Sequence, residues 1–119
     1  MTEEGTKTPN AKKWTEERVK AHLDILEKDM HGEHCFFLGS ALMRQGLPKH
    51  VWSYWKQVFA ENDDLIERML FIDSFFEAKI FEAGLKKELP SVIAIRTLKF
   101  VYGWNGNLES IIHNKFNKF

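Results

Sequence analysis

Between Leu65 and Phe81 the chain sets apolar side chains on nearly every side of a helix, and this crowding constrains the fold more than any other feature. Leu65, Met69, Ile72, Phe76 and Ile80 make one stripe at helical spacing. Phe71, Phe75 and Ala78 make a second, and Ile66, Leu70 and Phe81 lie on a third side. Each such side chain left in water forfeits about 1.5–3 kcal/mol. A chain of 119 residues has few other elements to cover them. The expectation is burial against copies of itself, with Leu65, Met69, Phe71, Ile72, Phe75, Phe76, Ile80 and Phe81 as the oligomerisation set. The alternative is the central helix of a monomeric bundle.

The remaining segments also read as helices. Residues 1–12 are Thr-, Glu- and Lys-rich without apolar periodicity and are expected to be a disordered arm. Thr15 can cap a first helix with Glu16 and Glu17 in its opening turn. Val19, Leu23, Leu26 and Met30 give that helix its apolar stripe, and Gly32 is expected to end it. A second helix is expected from about Cys35 to Gln45, with Gly46 as its C-terminal stop. Pro48 suits the first turn of a third, reaching about Ala60. Asn62, Asp63 and Asp64 open the apolar helix, which is expected to end at Gly84. Pro90 and Ser91 open a fifth, with Val92, Ile95, Leu98 and Tyr102 on one face and Gly103 after it. Residues 105–119 form a tail carrying Ile111, Ile112, Phe116 and Phe119, a possible docking segment. No strand and no internal repeat is evident.

The residues needed for catalysis are missing from this pattern. There is no phosphate-cradling Gly-rich loop followed by Lys and Ser or Thr. No Ser–His–Asp or Cys–His constellation stands out, so the chain is expected not to be an enzyme and to need no cofactor. His31, His34 and Cys35 are too close together to read as a metal site. Asp63, Asp64 and Glu67 are explained by their place at a helix start, without a metal. The single cysteine, Cys35, excludes an intrachain disulfide and suits a reducing cytoplasm. Met1–Lys13 has no signal-peptide apolar core, and no stretch is long enough for a membrane span.

Charge is balanced overall, with 17 basic and 17 acidic residues, but it is unevenly placed. Residues 31–60 carry Arg44, Lys49 and Lys56 against Glu33 alone, whereas residues 61–82 carry seven acids against Arg68 and Lys79. Within the third helix, Val51, Trp52, Trp55, Val58 and Phe59 share one side. The opposite side holds Lys49, His50, Ser53, Lys56 and Gln57, with Tyr54 at its edge and no acid. Helix, Gly turn, helix is the outline of a helix-turn-helix, and Leu47, Trp52 and Trp55 fit its core spacing after the turn. Leu42 stands where a small residue is usual, and Gln45 where an apolar one is usual. A plain structural hairpin of two helices is the competing reading. The expected DNA-facing set is Lys49, His50, Ser53, Tyr54, Lys56 and Gln57, with Arg44 secondary, as are Lys7, Lys12 and Lys13 of the arm.

The second half carries a pattern that extends this reading. Glu77–Leu85 is followed by Leu89-Pro90-Ser91-Val92-Ile93-Ala94-Ile95-Arg96-Thr97-Leu98-Lys99-Phe100 and then Tyr102-Gly103-Trp104. The Pro-started helix, the Ala94-Ile95 pair, Leu98-Lys99 and the closing Gly103-Trp104 resemble the small terminase subunits of tailed double-stranded DNA bacteriophages. Trp14–Glu17 is similar to that family's frequent opening, and the resemblance spans about residues 14–105. Lys87-Glu88-Leu89 replaces the usual Thr-Gly-Lys, and the tail after Asn107 departs from the pattern. The resemblance implies a non-catalytic packaging protein that binds viral double-stranded DNA. It also implies assembly into a ring and recruitment or regulation of the large terminase subunit, an ATPase and nuclease.

The expected fold class is therefore all-α, an N-terminal helix-turn-helix followed by a helical oligomerisation hairpin. The expected division is 1–12 arm, 13–61 DNA-binding region, 62–104 oligomerisation region and 105–119 tail. Two other functions remain compatible with the residues: a dimeric helix-turn-helix transcription regulator, and a helical adaptor that binds only protein.

Overall fold

The computed structural model describes residues 14–104, and among these all regular structure is α-helical. The helices are α1 (Glu16–Asp29), α2 (Leu38–Arg44), α3 (Val51–Val58), α4 (Asp63–Leu85) and α5 (Ser91–Phe100). The expectations for the arm 1–12 and the tail 105–119, including Lys7, Lys12 and Lys13, lie outside the described residues.

Local chemistry accounts for most helix ends. Thr15 is extended, and its Oγ1 accepts the Arg18 amide at 3.2 Å. Glu16 and Glu17 follow in the first turn, where the helix dipole favours negative charge. Asn62 Oδ1 accepts the Leu65 amide at 3.2 Å and so caps α4 in the same way. Gly46 takes the left-handed backbone expected of it, with φ 78°. The amides of Gly46 and Leu47 return to the carbonyls of Met43 and Leu42, at 2.9 and 3.0 Å, and close the end of α2.

Several boundaries differ from the sequence expectation, each for a visible reason. Helix α2 begins at Leu38 rather than Cys35, because the Cys35 amide is already bonded to the Gly32 carbonyl and Phe37 is extended. Helix α3 begins at Val51, after a tight turn in which the Val51 and Trp52 amides bond to the carbonyls of Pro48 and Lys49. Gly32 does not supply a left-handed stop for α1. Its role is close approach, since a Cβ there would lie 3.0 Å from the Asp29 carbonyl oxygen. Gly84 does not stop α4 either. The helix runs through it, and Lys87 takes the left-handed conformation with φ 64°. The Glu88 amide then reaches the Ala83 carbonyl at 2.8 Å, repeating the closure seen at Gly46. A lysine in that conformation costs about 1–2 kcal/mol, an amount the closing bonds can offset.

The chain forms two compact units, with the boundary inside α4 after Ile72. In the first unit, Arg68 ties the start of α4 to α1: its Nε and Nη2 donate to the two carboxylate oxygens of Glu27 at 3.0 and 2.8 Å. Nη2 also donates to Asp24 at 2.8 Å. This two-pronged pairing is the strong geometry for arginine and carboxylate. Val19, Leu23, Leu26, Leu42, Trp55, Leu65, Met69 and Ile72 are buried in this unit.

In the second unit Phe76, Ile80, Ala83, Leu89, Ala94, Ile95 and Leu98 are buried. Trp104 closes it, donating its Nε1–H to Glu77 at 2.5 Å and lying 5.7 Å from the Phe81 ring. Burial first, and then the carboxylates of Asp73 and Glu77, hold the Tyr102 hydroxyl above its ordinary 10.0. The folded chain keeps this proton where the unfolded chain begins to release it. The stability it contributes is therefore complete below pH 10 and drains away as the pH rises further. Tyr102→Phe is expected to flatten the alkaline decline of the urea midpoint above about pH 10. A parallel decline in both proteins would show that Tyr102 is not its source.

Candidate nucleic-acid interface

The candidate surface is built on α2, the turn at Gly46 and α3, all in the first unit. Helix α3 is held from behind by Val51, Trp52 and Trp55, which are 4%, 7% and 0% exposed. The Trp55 ring lies 5.0 Å from Trp14, 5.9 Å from His22 and 6.1 Å from Trp52, so α3 is pinned against α1 through aromatic edges. The Trp55 Nε1–H is buried with no hydrogen-bond partner, a cost that this packing absorbs.

The Gln45 anomaly resolves in the same place. Gln45 Nε2 donates to the His22 main-chain oxygen at 3.3 Å, and its Oε1 lies 2.6 Å from His22 Nδ1. With the amide nitrogen committed to the carbonyl, Oε1 accepts, and the His22 proton sits on Nδ1. An inward-facing glutamine is thus satisfied by one residue of α1. Leu42, where a small side chain is usual, is wholly enclosed at 1% exposure.

The expected DNA-facing residues fall into two groups. Lys49, His50, Ser53 and Gln57 are exposed, and Tyr54 and Lys56 are half-buried. The Lys56 ammonium stands 5.9 Å from the Trp52 ring centroid, which steadies its stem without removing its charge from the surface. Ser53 Oγ donates to the His50 carbonyl at 3.2 Å, so its hydroxyl is partly committed. Arg44 lies on α2 instead, and its Nη2 donates to Cys35 Sγ at 3.0 Å. No acidic residue occurs from His34 to Ala60, so no carboxylate from this stretch opposes these cations.

Sequence reasoning missed the neighbours contributed by α1 and by Trp14 just before it. Arg18 sits 4.6 Å from the Trp14 ring centroid. Together with His22 these two residues line a groove of about 390 Å³ beside His50 and Tyr54. The signal was weak because Arg18 lies far from α3 in sequence and on a helix otherwise rich in acids.

The expected oligomerisation residues divide sharply. Leu65, Met69, Ile72, Phe76 and Ile80 are 0% exposed within a single chain, so the argument that they need a neighbouring copy falls. Phe75 and Phe81 are half-buried. Only Phe71 of that set is largely exposed, joined by Leu70. Among the described residues, no group of three or more His, Cys, Asp or Glu side chains could hold a metal. No described helix is long and apolar enough to cross a membrane. Compared with known proteins, the chain matches no family model, no curated protein and no solved structure.

Proposed function

We propose that this chain is a non-catalytic protein that binds double-stranded DNA, with α2, the Gly46 turn and α3 acting as a helix-turn-helix. The observation that carries the reading is the acid-free, solvent-facing side of α3, backed by a wholly buried Trp55. Lys49 and Lys56 hold phosphates, while Ser53 and Gln57 stand where base edges would be read. Arg18 adds a further cation from α1. Together with the sequence pattern ending in Gly103-Trp104, this supports a small terminase subunit acting in the host cytoplasm. Such a protein assembles with copies of itself and recruits the large ATPase–nuclease subunit to start genome packaging. Few phosphate contacts per copy suffice when several copies grip one duplex.

The test is fluorescence anisotropy on a labelled duplex across a salt series. Binding is expected to fall steeply between about 50 and 300 mM salt. Lys49→Ala with Lys56→Ala is expected to weaken it at least tenfold and to flatten the log–log salt slope by about 2 per copy engaged. Unchanged affinity and slope would show that DNA does not lie on this face. A strict dimer binding a palindromic site would instead favour transcriptional regulation.

A further inference from the structure

Two exposed helix segments carry complementary patterns. On α4, Asp63, Asp64, Glu67, Leu70 and Phe71 are all exposed. On α5, Val92, Ile93, Arg96, Lys99 and Phe100 are all exposed. Both sets occupy positions i, i+1, i+4, i+7 and i+8, which span about 120° of a helix circumference and about 12 Å of its length. The α4 segment runs from acidic to apolar. The α5 segment runs from apolar to basic and ends on Phe100. Leu70 and Phe71 are 51% and 60% exposed, and Val92 and Phe100 are 59% and 74%. Among the described residues, neither Glu67 nor Arg96 has an ion-pair partner.

We propose that Asp63–Phe71 of one copy packs antiparallel on Val92–Phe100 of a second copy. This rests on the self-assembly reading above and gives it a register. Laid antiparallel, Phe71 meets Val92, Leu70 meets Ile93, Glu67 meets Arg96 and Asp64 meets Lys99. Four of the five pairs then match, two apolar on apolar and two acid on base, and only Asp63 against Phe100 at the end of the contact does not. The other arrangements fail on the same residues. A parallel alignment sets Asp63 and Asp64 against Val92 and Ile93. Antiparallel pairing of α5 with itself sets Arg96 on Arg96, and of α4 with itself sets Glu67 on Glu67. The favoured contact joins two different faces, so it is head-to-tail and each copy keeps one face of each kind for further neighbours.

Sedimentation velocity on the full chain tests this, with circular dichroism melts to verify folding. Glu67→Arg alone and Arg96→Glu alone are each expected to weaken self-association about tenfold or more, and the two together to recover it. A second design separates head-to-tail from symmetric contacts. One variant carries Leu70→Ser and Phe71→Ser, and another carries Val92→Ser and Ile93→Ser. Each alone is expected to stay monomeric, and their mixture to stop at a dimer, with one intact contact and two dead faces. An assembly that ignores the charge reversals, or a double reversal that fails to recover, overturns this register while leaving self-assembly standing. A wild-type chain that remains monomeric at high concentration overturns both.

Discussion

Replacing Phe76 by alanine is expected to cost about 3–5 kcal/mol of stability, and replacing Phe71 on the same helix less than about 1. Phe76 is wholly buried in its own chain, so truncation leaves a cavity that the close-packed second unit closes only in part. Phe71 is 60% exposed, and its removal opens no void. Urea denaturation at a concentration low enough to keep the chain monomeric gives both values. Equal losses for the two variants would mean that Phe71 is packed within the chain. A negligible loss for Phe76 would mean that its burial needs a neighbouring copy. The same pair should reverse in sedimentation, where Phe71→Ala weakens self-association and Phe76→Ala affects it only through folding.

Trp55→Ala is expected to remove about 3–5 kcal/mol and to release α3 from α1. The ring is the common neighbour of Trp14, His22 and Trp52, so its loss disorders the support of the whole candidate DNA face. Trp55→Phe is expected to cost markedly less. The phenyl ring keeps much of the apolar contact and deletes an indole N–H that is buried without a partner. Leaving such a group unsatisfied costs about 1–3 kcal/mol, which offsets part of the lost volume. Denaturation midpoints and near-ultraviolet circular dichroism distinguish the two. If phenylalanine proves as damaging as alanine, the indole N–H contributes something that the buried ring alone does not explain.

Helix existence was legible because the apolar spacing and the caps agreed. Thr15, Asn62 and Gly46 act as their residue types suggest. The failures came where a residue type has two uses. Gly84 reads as a stop, yet a glycine can sit inside a helix, and Lys87 bears the left-handed turn. The apolar excess of α4 reads as an interface because periodicity shows how many sides need cover, not what covers them. Much of that cover comes from within the chain: Leu65, Met69 and Ile72 are buried in the first unit, and Phe76 and Ile80 in the second. Ser53, Lys56 and Gln57 on the outer side of α3 were visible from spacing alone, whereas Lys49 and His50 lie in the turn before it. The contribution of Arg18 and Trp14 was not visible, because it depends on the tertiary contact of Trp14, just before α1, with Trp55 of α3.

The Oε1 of Gln45 and the Nδ1–H of His22 satisfy one another, which makes the two side chains a unit of inheritance. Swapping either for an aliphatic side chain leaves Nδ1 or Oε1 without its partner, while swapping both removes the two together. In descendants of a shared ancestor the two positions should therefore drift together. That linked drift would mark kinship even where the surrounding letters have been rewritten.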